Sequence, residues 1–150
     1  MKKIDLNKLR DKAYKTACEH GLHDQELSNE HCLCLVISEL MKAVEADRKR
    51  KYFKGKIMFE RDFNLYSALV EENVRYRNAF EKHIKDTVGD KLADTVIRLL
   101  DLAGLRNLNL NRFALVNVVS KKKTFTENIH SIVKDITNYK YTLEELVNYA

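Results

Sequence analysis

Two short stretches of the sequence place acidic and basic side chains at helical spacing. In the first, Glu39, Lys42 and Glu45 follow one another at intervals of three residues, with Lys49 next along the same flank. Residues three or four apart lie on one face of a helix, so these side chains share a surface. Carboxylates in such an arrangement are suited to hold a divalent cation such as Mg²⁺, which prefers hard oxygen ligands.

The second stretch lies about fifty residues later and has the same mixed character. Lys91 and Asp94 are three residues apart, and Asp90 and Arg98 adjoin the face that they define. Ordinary ion pairs, such as Lys91 with Asp94, explain this pattern equally simply. Spacing alone therefore favours two solvated helix faces over a catalytic site.

The particular residues in these stretches resemble a known family. The segment from about residue 28 to residue 103 is similar to the MazG-like all-α nucleoside triphosphate pyrophosphohydrolases. Those proteins carry a Glu-Glu-x-x-Glu motif on one helix and a Glu-x-x-Asp motif on a later helix. The matching text is SELMKAVEADRKR at 38–50 and DKLADTVIRLLDLAGL at 90–105.

The resemblance implies a fold, a reaction and an assembly. The fold is an all-α bundle with a four-helix core, in which residues 105–150 are peripheral or C-terminal helices of the same domain. The acids of the two motifs hold Mg²⁺ against a triphosphate, and water attacks between the α- and β-phosphates to release pyrophosphate and a nucleoside monophosphate. Members of the family form homo-oligomers, so a dimer or tetramer is expected here.

Matched position by position, the acidic site of the family is incomplete in this chain. Ser38 stands where the first Glu stands, Glu39 matches the second, and Lys42 replaces the third. In the second motif Lys91 replaces the Glu, while Asp94 matches the Asp. Each exchange of a carboxylate for an ammonium group changes the charge by two, so the two exchanges change it by four. At about 4 Å a cation repels Mg²⁺ by several kcal/mol even in a medium of intermediate dielectric constant.

The sequence therefore predicts a protein that binds nucleotides but hydrolyses them weakly or not at all. Mg²⁺ is a possible cofactor, but we expect a site without a metal. On this hypothesis the phosphate groups are bound by four cationic side chains, namely Lys42, Lys91, Lys49 and Arg98. The same lysines can instead pair with Glu39 and Asp94 in a closed cluster that has only a structural role.

Two other functions remain open at this point. One is a working pyrophosphohydrolase in which Glu39 and Asp94 are catalytic and hold a metal together with Glu45 and Asp90. The other is a small nucleic-acid-binding protein that uses the basic runs at 48–56 and 121–123. A net charge of +5 and a pI near 9.0 suit any polyanion, but no recognised nucleic-acid-binding motif accompanies the basic runs. Nucleic acid is therefore the least expected partner.

The cysteines and histidines do not form a metal-binding pattern. Cys32 and Cys34 project about 200° apart on a helix and cannot share one ion, so reduced thiols in a helical core are expected. The five histidines are scattered, and we expect each of them to lie in solvent or in the core.

Hydrophobic periodicity predicts the helices that position these residues. The strongest prediction is a helix capped by Ser28 and running to about Arg50. The others are helices over 5–20 with Gly21 as the stop, 62–76, 80–103 with Gly104 as the stop, a helix capped by Thr124 or Thr126, and a last helix opened by a Thr142–Glu145 capping box. Within 80–103, Asp86-Thr87 offers an alternative helix start.

Composition agrees with a single all-α domain. A chain of 150 residues can bury a core of its own, and no Pro with only four Gly leaves few of the turn residues that sheet proteins use. No apolar run reaches the roughly 18 residues of a membrane span, and Met1-Lys2-Lys3 is not followed by a signal core. We therefore expect a cytoplasmic protein without a membrane partner.

Overall fold

A computed structural model describes residues 4–110 and 122–138 of the chain. The described residues form six α-helices and no strand: α1 (Leu6–Glu19), α2 (Asn29–Arg48), α3 (Lys56–Asn64), α4 (Glu72–His83), α5 (Val88–Leu105) and α6 (Phe125–Thr137). The all-α class is thus confirmed. Among these six helices, none has the length and apolarity needed to cross a bilayer. The predicted helix after Thr142 falls outside the described residues.

Three helix ends form where the sequence predicts them. Ser28 caps α2, because its side chain accepts a hydrogen bond of 3.1 Å from the backbone N–H of His31. Gly21 follows α1 with a φ of 71°, the left-handed conformation that glycine adopts most easily. At α6 the cap is Thr124, which forms a complete capping box with Glu127.

The predicted helix over 62–76 is wrong. The chain instead forms α3 and α4 with a turn between them, and Tyr66 in that turn has a φ of 59°. Aromatic packing explains the difference, since four rings on the two helices contact one another: Phe59, Phe63, Tyr76 and Phe80. The spacing of apolar residues along the sequence does not reveal that two short helices pack against each other through their aromatic side chains.

The predicted helix over 80–103 is in fact two elements. α4 ends at His83, Asp86 takes a left-handed φ of 61°, and the Thr87 side chain caps α5 by accepting from the Asp90 N–H at 3.3 Å. The alternative start at Asp86-Thr87 is therefore the one that forms. Gly104 is not a stop, because α5 continues to Leu105 and Asn107 takes the left-handed position beyond it.

The core lies where α5 packs against both α2 and α1, while α6 packs against α2. Helices α3 and α4 pack chiefly against each other and project as a hairpin. A backbone hydrogen bond of 2.9 Å from Val88 to the Lys51 carbonyl joins the region after α2 to the start of α5. The core includes residues from α2, α5, α6 and the segment after α5, among them Leu33, Val36, Leu40, Leu99, Leu102, Leu110, Ile129 and Ile136.

Gly104 permits a close contact between α1 and α5. A Cβ atom at this position would lie 2.5 Å from the Tyr14 Cβ and 2.9 Å from its Cγ, too close for any side chain. The absence of a Cβ at residue 104 therefore sets how closely α1 approaches α5.

We predict that Gly104→Ala lowers the free energy of unfolding by about 1 to 3 kcal/mol, because α1 must move away from α5. Gly89→Ala is the matched control, since Thr87 Oγ at 4.0 Å is the nearest atom to a Cβ there. That change is expected to raise stability by about 0.5 kcal/mol. Urea denaturation followed by circular dichroism measures both values, and equal stabilities for the two variants would contradict the close contact.

Candidate functional site

The two helices that carry the charged stretches lie side by side and contribute to one groove. This α1/α2/α5 groove has a volume of about 530 Å³ and is lined by residues of α1, α2 and α5 and the start of the loop after α1: Leu9, Lys12, Ala13, Thr16, Ala17, His20, Leu22, Glu39, Asp94, Ile97, Arg98, Leu100 and Asp101. Glu39 and Asp94, the two acids that match the family motifs, therefore line the same cavity. Its volume lies in the range of small-molecule sites.

Glu39 is the most buried acid of the predicted site. Its side chain is 9% exposed, and Oε1 accepts a hydrogen bond of 2.9 Å from Nζ of Lys42. The other oxygen, Oε2, is buried without a hydrogen-bond partner among the described residues. An unsatisfied buried carboxylate oxygen costs free energy that a donor from a bound molecule would recover.

Lys91 lies in a cluster of three carboxylates. Its Nζ is 3.0 Å from Asp90, 3.2 Å from Asp94 and 3.3 Å from Asp86. Burial lowers the pKa of Lys91, but the hydrogen bonds to Asp90 and Asp94 outweigh burial and raise the pKa above its ordinary value. Lys91 is thus a charged ammonium group whose ion pairs in the structure are with these three carboxylates.

The remaining predicted residues of α2 lie outside the groove. Lys42 extends from Glu39 into solvent, with 55% of its side chain exposed. Glu45 pairs with Lys49 at 3.0 Å and with Arg48 at 3.2 Å, and Lys49 is the first cause that lowers the pKa of Glu45. These are surface pairs of the kind that mixed charge at this spacing favours.

Arg98 is the one predicted phosphate-binding cation that lines the groove. No carboxylate of the described residues lies within 4.0 Å of its guanidinium group. Lys12 joins it from α1, a contribution that the sequence analysis did not identify. The groove thus combines two cations and three carboxylates, those of Glu39, Asp94 and Asp101, with an apolar wall.

The sequence analysis also missed a buried pair between Asp101 and His23. Nε2 of His23 is 2.7 Å from Oδ1 of Asp101, and the side chains are 8% and 12% exposed. The pair joins the loop after α1 to α5 across 78 residues of sequence, a separation at which spacing carries no signal. Asp101 lines the groove, so this pair fixes one of its acids and occupies one of its oxygens.

Two of the three cysteines do not lie in the core as predicted. Cys32 is buried, and burial raises the pKa of its thiol, but Cys18 and Cys34 are exposed. All three are free thiols, as expected. The core prediction is wrong for the latter two because they face outward on α1 and α2.

The residues of the predicted acidic site do not fit a divalent metal. Oε1 of Glu39 is bound to one ammonium group, and Asp90 and Asp94 share another. Within residues 4–110 and 122–138, no group of three or more acidic, histidine or cysteine side chains is arranged to hold an ion. A cation placed among these carboxylates would have to displace a lysine that is already paired with them.

Comparisons with known proteins do not identify a family. No protein-family model matches the chain, and neither a curated protein nor a solved structure matches it. The similarity to MazG-like proteins stays a prediction that depends on the two motifs in the sequence.

We predict that Lys91→Met lowers the free energy of unfolding by about 1 to 3 kcal/mol, since it leaves three carboxylates facing one another without a cation. Lys49→Met is the control, because Lys49 belongs to an exposed pair and should change stability by less than about 0.5 kcal/mol.

The pH dependence follows from the raised pKa of Lys91. A group with a raised pKa in the folded state stabilises fully below its unfolded pKa and loses this contribution as pH rises through the folded pKa. The difference between wild type and Lys91→Met should therefore stay constant from about pH 6 to about pH 9, below the unfolded Lys pKa of about 10.4. Equal urea midpoints for wild type and Lys91→Met at neutral pH would show that the cluster contributes nothing.

Proposed function

We propose that this protein binds a nucleotide, a nucleoside triphosphate or a related phosphorylated molecule, in the α1/α2/α5 groove. The observation that carries the proposal is that Glu39, Asp94 and Arg98 line one cavity, and that one oxygen of the Glu39 side chain, Oε2, is buried without a partner among the described residues. A cavity of about 530 Å³ accommodates a molecule of this size.

The chemistry of the groove complements the parts of a nucleotide. Its apolar side chains, such as Leu9 and Ile97, suit the faces of a planar base. An amino or hydroxyl group of the ligand can donate a hydrogen bond to the carboxylate of Glu39. Arg98 and Lys12 supply positive charge for a phosphate group, and a guanidinium group can bind two phosphate oxygens at once.

In this proposal metal-dependent hydrolysis is weak or lost. Cleavage between phosphates in the similar family depends on Mg²⁺, which neutralises developing charge and orients the phosphate chain. Here the ammonium groups of Lys42 and Lys91 occupy carboxylate oxygens that a metal would need. Binding through Arg98 and Lys12 needs no metal, and the protein would sense, store or sequester its ligand.

We predict that Glu39→Gln and Arg98→Gln each weaken nucleotide binding about tenfold, because each removes one charged hydrogen-bonding group. Glu19→Gln on α1 and Arg77→Gln on α4 make the same changes at exposed positions outside the groove and should alter affinity less than about twofold. Isothermal titration calorimetry with a panel of nucleoside mono-, di- and triphosphates, with and without Mg²⁺, provides the measurement.

Two results would overturn the proposal. If no nucleotide binds in the absence of metal, the proposed class of ligand is wrong. Release of pyrophosphate from nucleoside triphosphates with Mg²⁺ or Mn²⁺, abolished by Asp94→Asn, would favour the working enzyme instead.

We also infer that the chain forms a homo-oligomer through the α3–α4 hairpin. The inference is supported by large apolar side chains exposed there, since Ile57 is 82% exposed and Leu69 is 84% exposed. Apolar surface gathered on one projecting element is characteristic of protein–protein contacts.

Light scattering after size-exclusion chromatography is expected to give two or four times the chain mass of 17.6 kDa. Changing Ile57 and Leu69 together to Asp should reduce this to the single-chain mass, because each places a charge in an apolar contact. Ser67→Asp, an exposed position in the same hairpin, is the control. A wild-type mass of about 18 kDa would refute the assembly.

A further inference from the structure

A second cavity lies beyond the C-terminal end of α2 and is lined mainly by basic residues. This basic pocket, of about 480 Å³, lies between the segment after α2, the end of α4 and the start of α5. Its lining residues are Arg50, Lys51, Tyr52, Lys54, Met58, Lys82, His83, Lys85 and Thr87. Five of these are Lys or Arg, and none of the described residues that line it is acidic.

Three of the five cations have no carboxylate to neutralise them among the described residues. Arg50, Lys51 and Lys54 form no ion pair within 4.0 Å in that part of the chain, and all three are exposed. Asp47, the acid closest to them in sequence, instead accepts a hydrogen bond from the hydroxyl of Tyr52. The cations of residues 50–54 therefore line a cavity without forming an ion pair among the described residues, and Asp47 is the acid beside them, in contact with Tyr52.

The opposite wall carries Lys82, His83 and Lys85, and Asp62 holds the first two of these side chains in place. Oδ2 of Asp62 is 2.6 Å from Nζ of Lys82 and 2.8 Å from Nε2 of His83. The hydrogen bonds from Lys82 and then His83 hold the pKa of Asp62 far below its usual range, so this anchor stays ionised. Lys85 lies 3.9 Å from Glu81, a long surface pair that leaves its charge accessible.

Helix ends account for only part of this charge. α2 ends at Arg48 and α4 at His83, and cations near the C-terminal ends of helices interact favourably with the helix dipoles. The helix dipoles explain why cations lie at these helix ends. They do not explain why two sets of basic residues line the same cavity. Arg50 moreover has a φ of 53°, a left-handed conformation that glycine would adopt with less strain. An arginine therefore occupies a position where the backbone favours glycine.

We infer that the basic pocket is a binding site for a compact polyphosphate anion, either free or as the phosphate end of a larger molecule. Its concave shape and volume suit a small ligand with several negative charges, which would contact both walls at once. Lys and Arg bind phosphate through charge-assisted hydrogen bonds, and the Thr87 and Tyr52 hydroxyls lie in the same lining.

The basic pocket is separate from the α1/α2/α5 groove. Glu39 in the groove and Arg48 at the end of α2 are nine residues apart, or about 13 Å along the helix. No residue lines both cavities. The inference therefore does not depend on nucleotide binding in the groove.

Inorganic tripolyphosphate is the probe, because it carries the charge of a phosphate chain without a base. Calorimetric titration of the full chain in Mg²⁺-free buffer is expected to show binding at about 0.05 M NaCl. Affinity should fall at least about tenfold at about 0.5 M NaCl, because salt screens exposed charge. Adenosine triphosphate in a parallel titration tells whether an attached nucleoside adds affinity, and binding of either compound at this pocket supports the inference.

Variants locate the site. The double change Lys51→Gln and Lys54→Gln is expected to weaken tripolyphosphate binding at least about tenfold. Lys56→Gln is the control for each single change, since it removes one charge two residues from Lys54, from a side chain that already pairs with Glu60 at 3.1 Å and does not line the pocket. It should change affinity less than about twofold. Exposure of all three lysines makes misfolding unexpected, and circular dichroism checks it.

Nuclear magnetic resonance provides an independent map. Backbone amide shifts on tripolyphosphate addition are expected at 50–54 and 82–87, with the α1 residues of the groove unaffected. Three results would overturn the inference: no binding at low salt, equal weakening by Lys56→Gln and the double variant, or shifts centred on the groove. Displacement of tripolyphosphate by a random-sequence single-stranded DNA that binds more tightly per phosphate would assign this surface to nucleic acid instead.

Discussion

The structure depends on the packing of α5 against two other helices at once. Gly104 lets α1 approach until Tyr14 occupies the space that a Cβ would fill, while Leu99 and Leu102 pack into the core that α2 shares. Because interiors are densely packed, these contacts fix the position of α5 along both partners. The acids and cations that α5 carries are then brought against those of α1 and α2, and the groove results from this arrangement.

Charge in this protein is divided between compensated and uncompensated clusters. Around Lys91, three carboxylates surround one ammonium group, and at Glu39 a single lysine satisfies one of two buried oxygens. Around residues 50–54 the reverse holds, since cations line a cavity without acids. Removing one partner of a buried pair leaves the other charge uncompensated, whereas unpaired charges at a concave surface attract ligands of opposite charge. This division separates structural residues from those that we propose to bind.

The two lysines of the motifs illustrate how sequence and structure differ in what they reveal. From the sequence, Lys42 and Lys91 were equal candidates for binding phosphate or for closing an ion-pair cluster. In the structure Lys91 forms ion pairs with Asp86, Asp90 and Asp94. Lys42 forms an ion pair with Glu39, and more than half of its side chain is exposed to solvent. The proposed binding role passes to Arg98, which the sequence named, and to Lys12 on α1, which it did not. Local spacing predicts pairs on one helix, but which cation lines a cavity depends on neighbouring helices.

The sequence by itself determined the all-α class, the cap at Ser28 and the stop at Gly21, because these depend on periodicity and on short-range hydrogen bonds. Tertiary structure decided that residues 56–83 form two helices that pack through aromatic side chains. It also decided which residues begin and end α5. It also decided the contacts between distant residues, such as His23 with Asp101 and the two walls of the basic pocket. Such contacts join residues dozens of positions apart, and only the packing of the helices brings them within bonding distance.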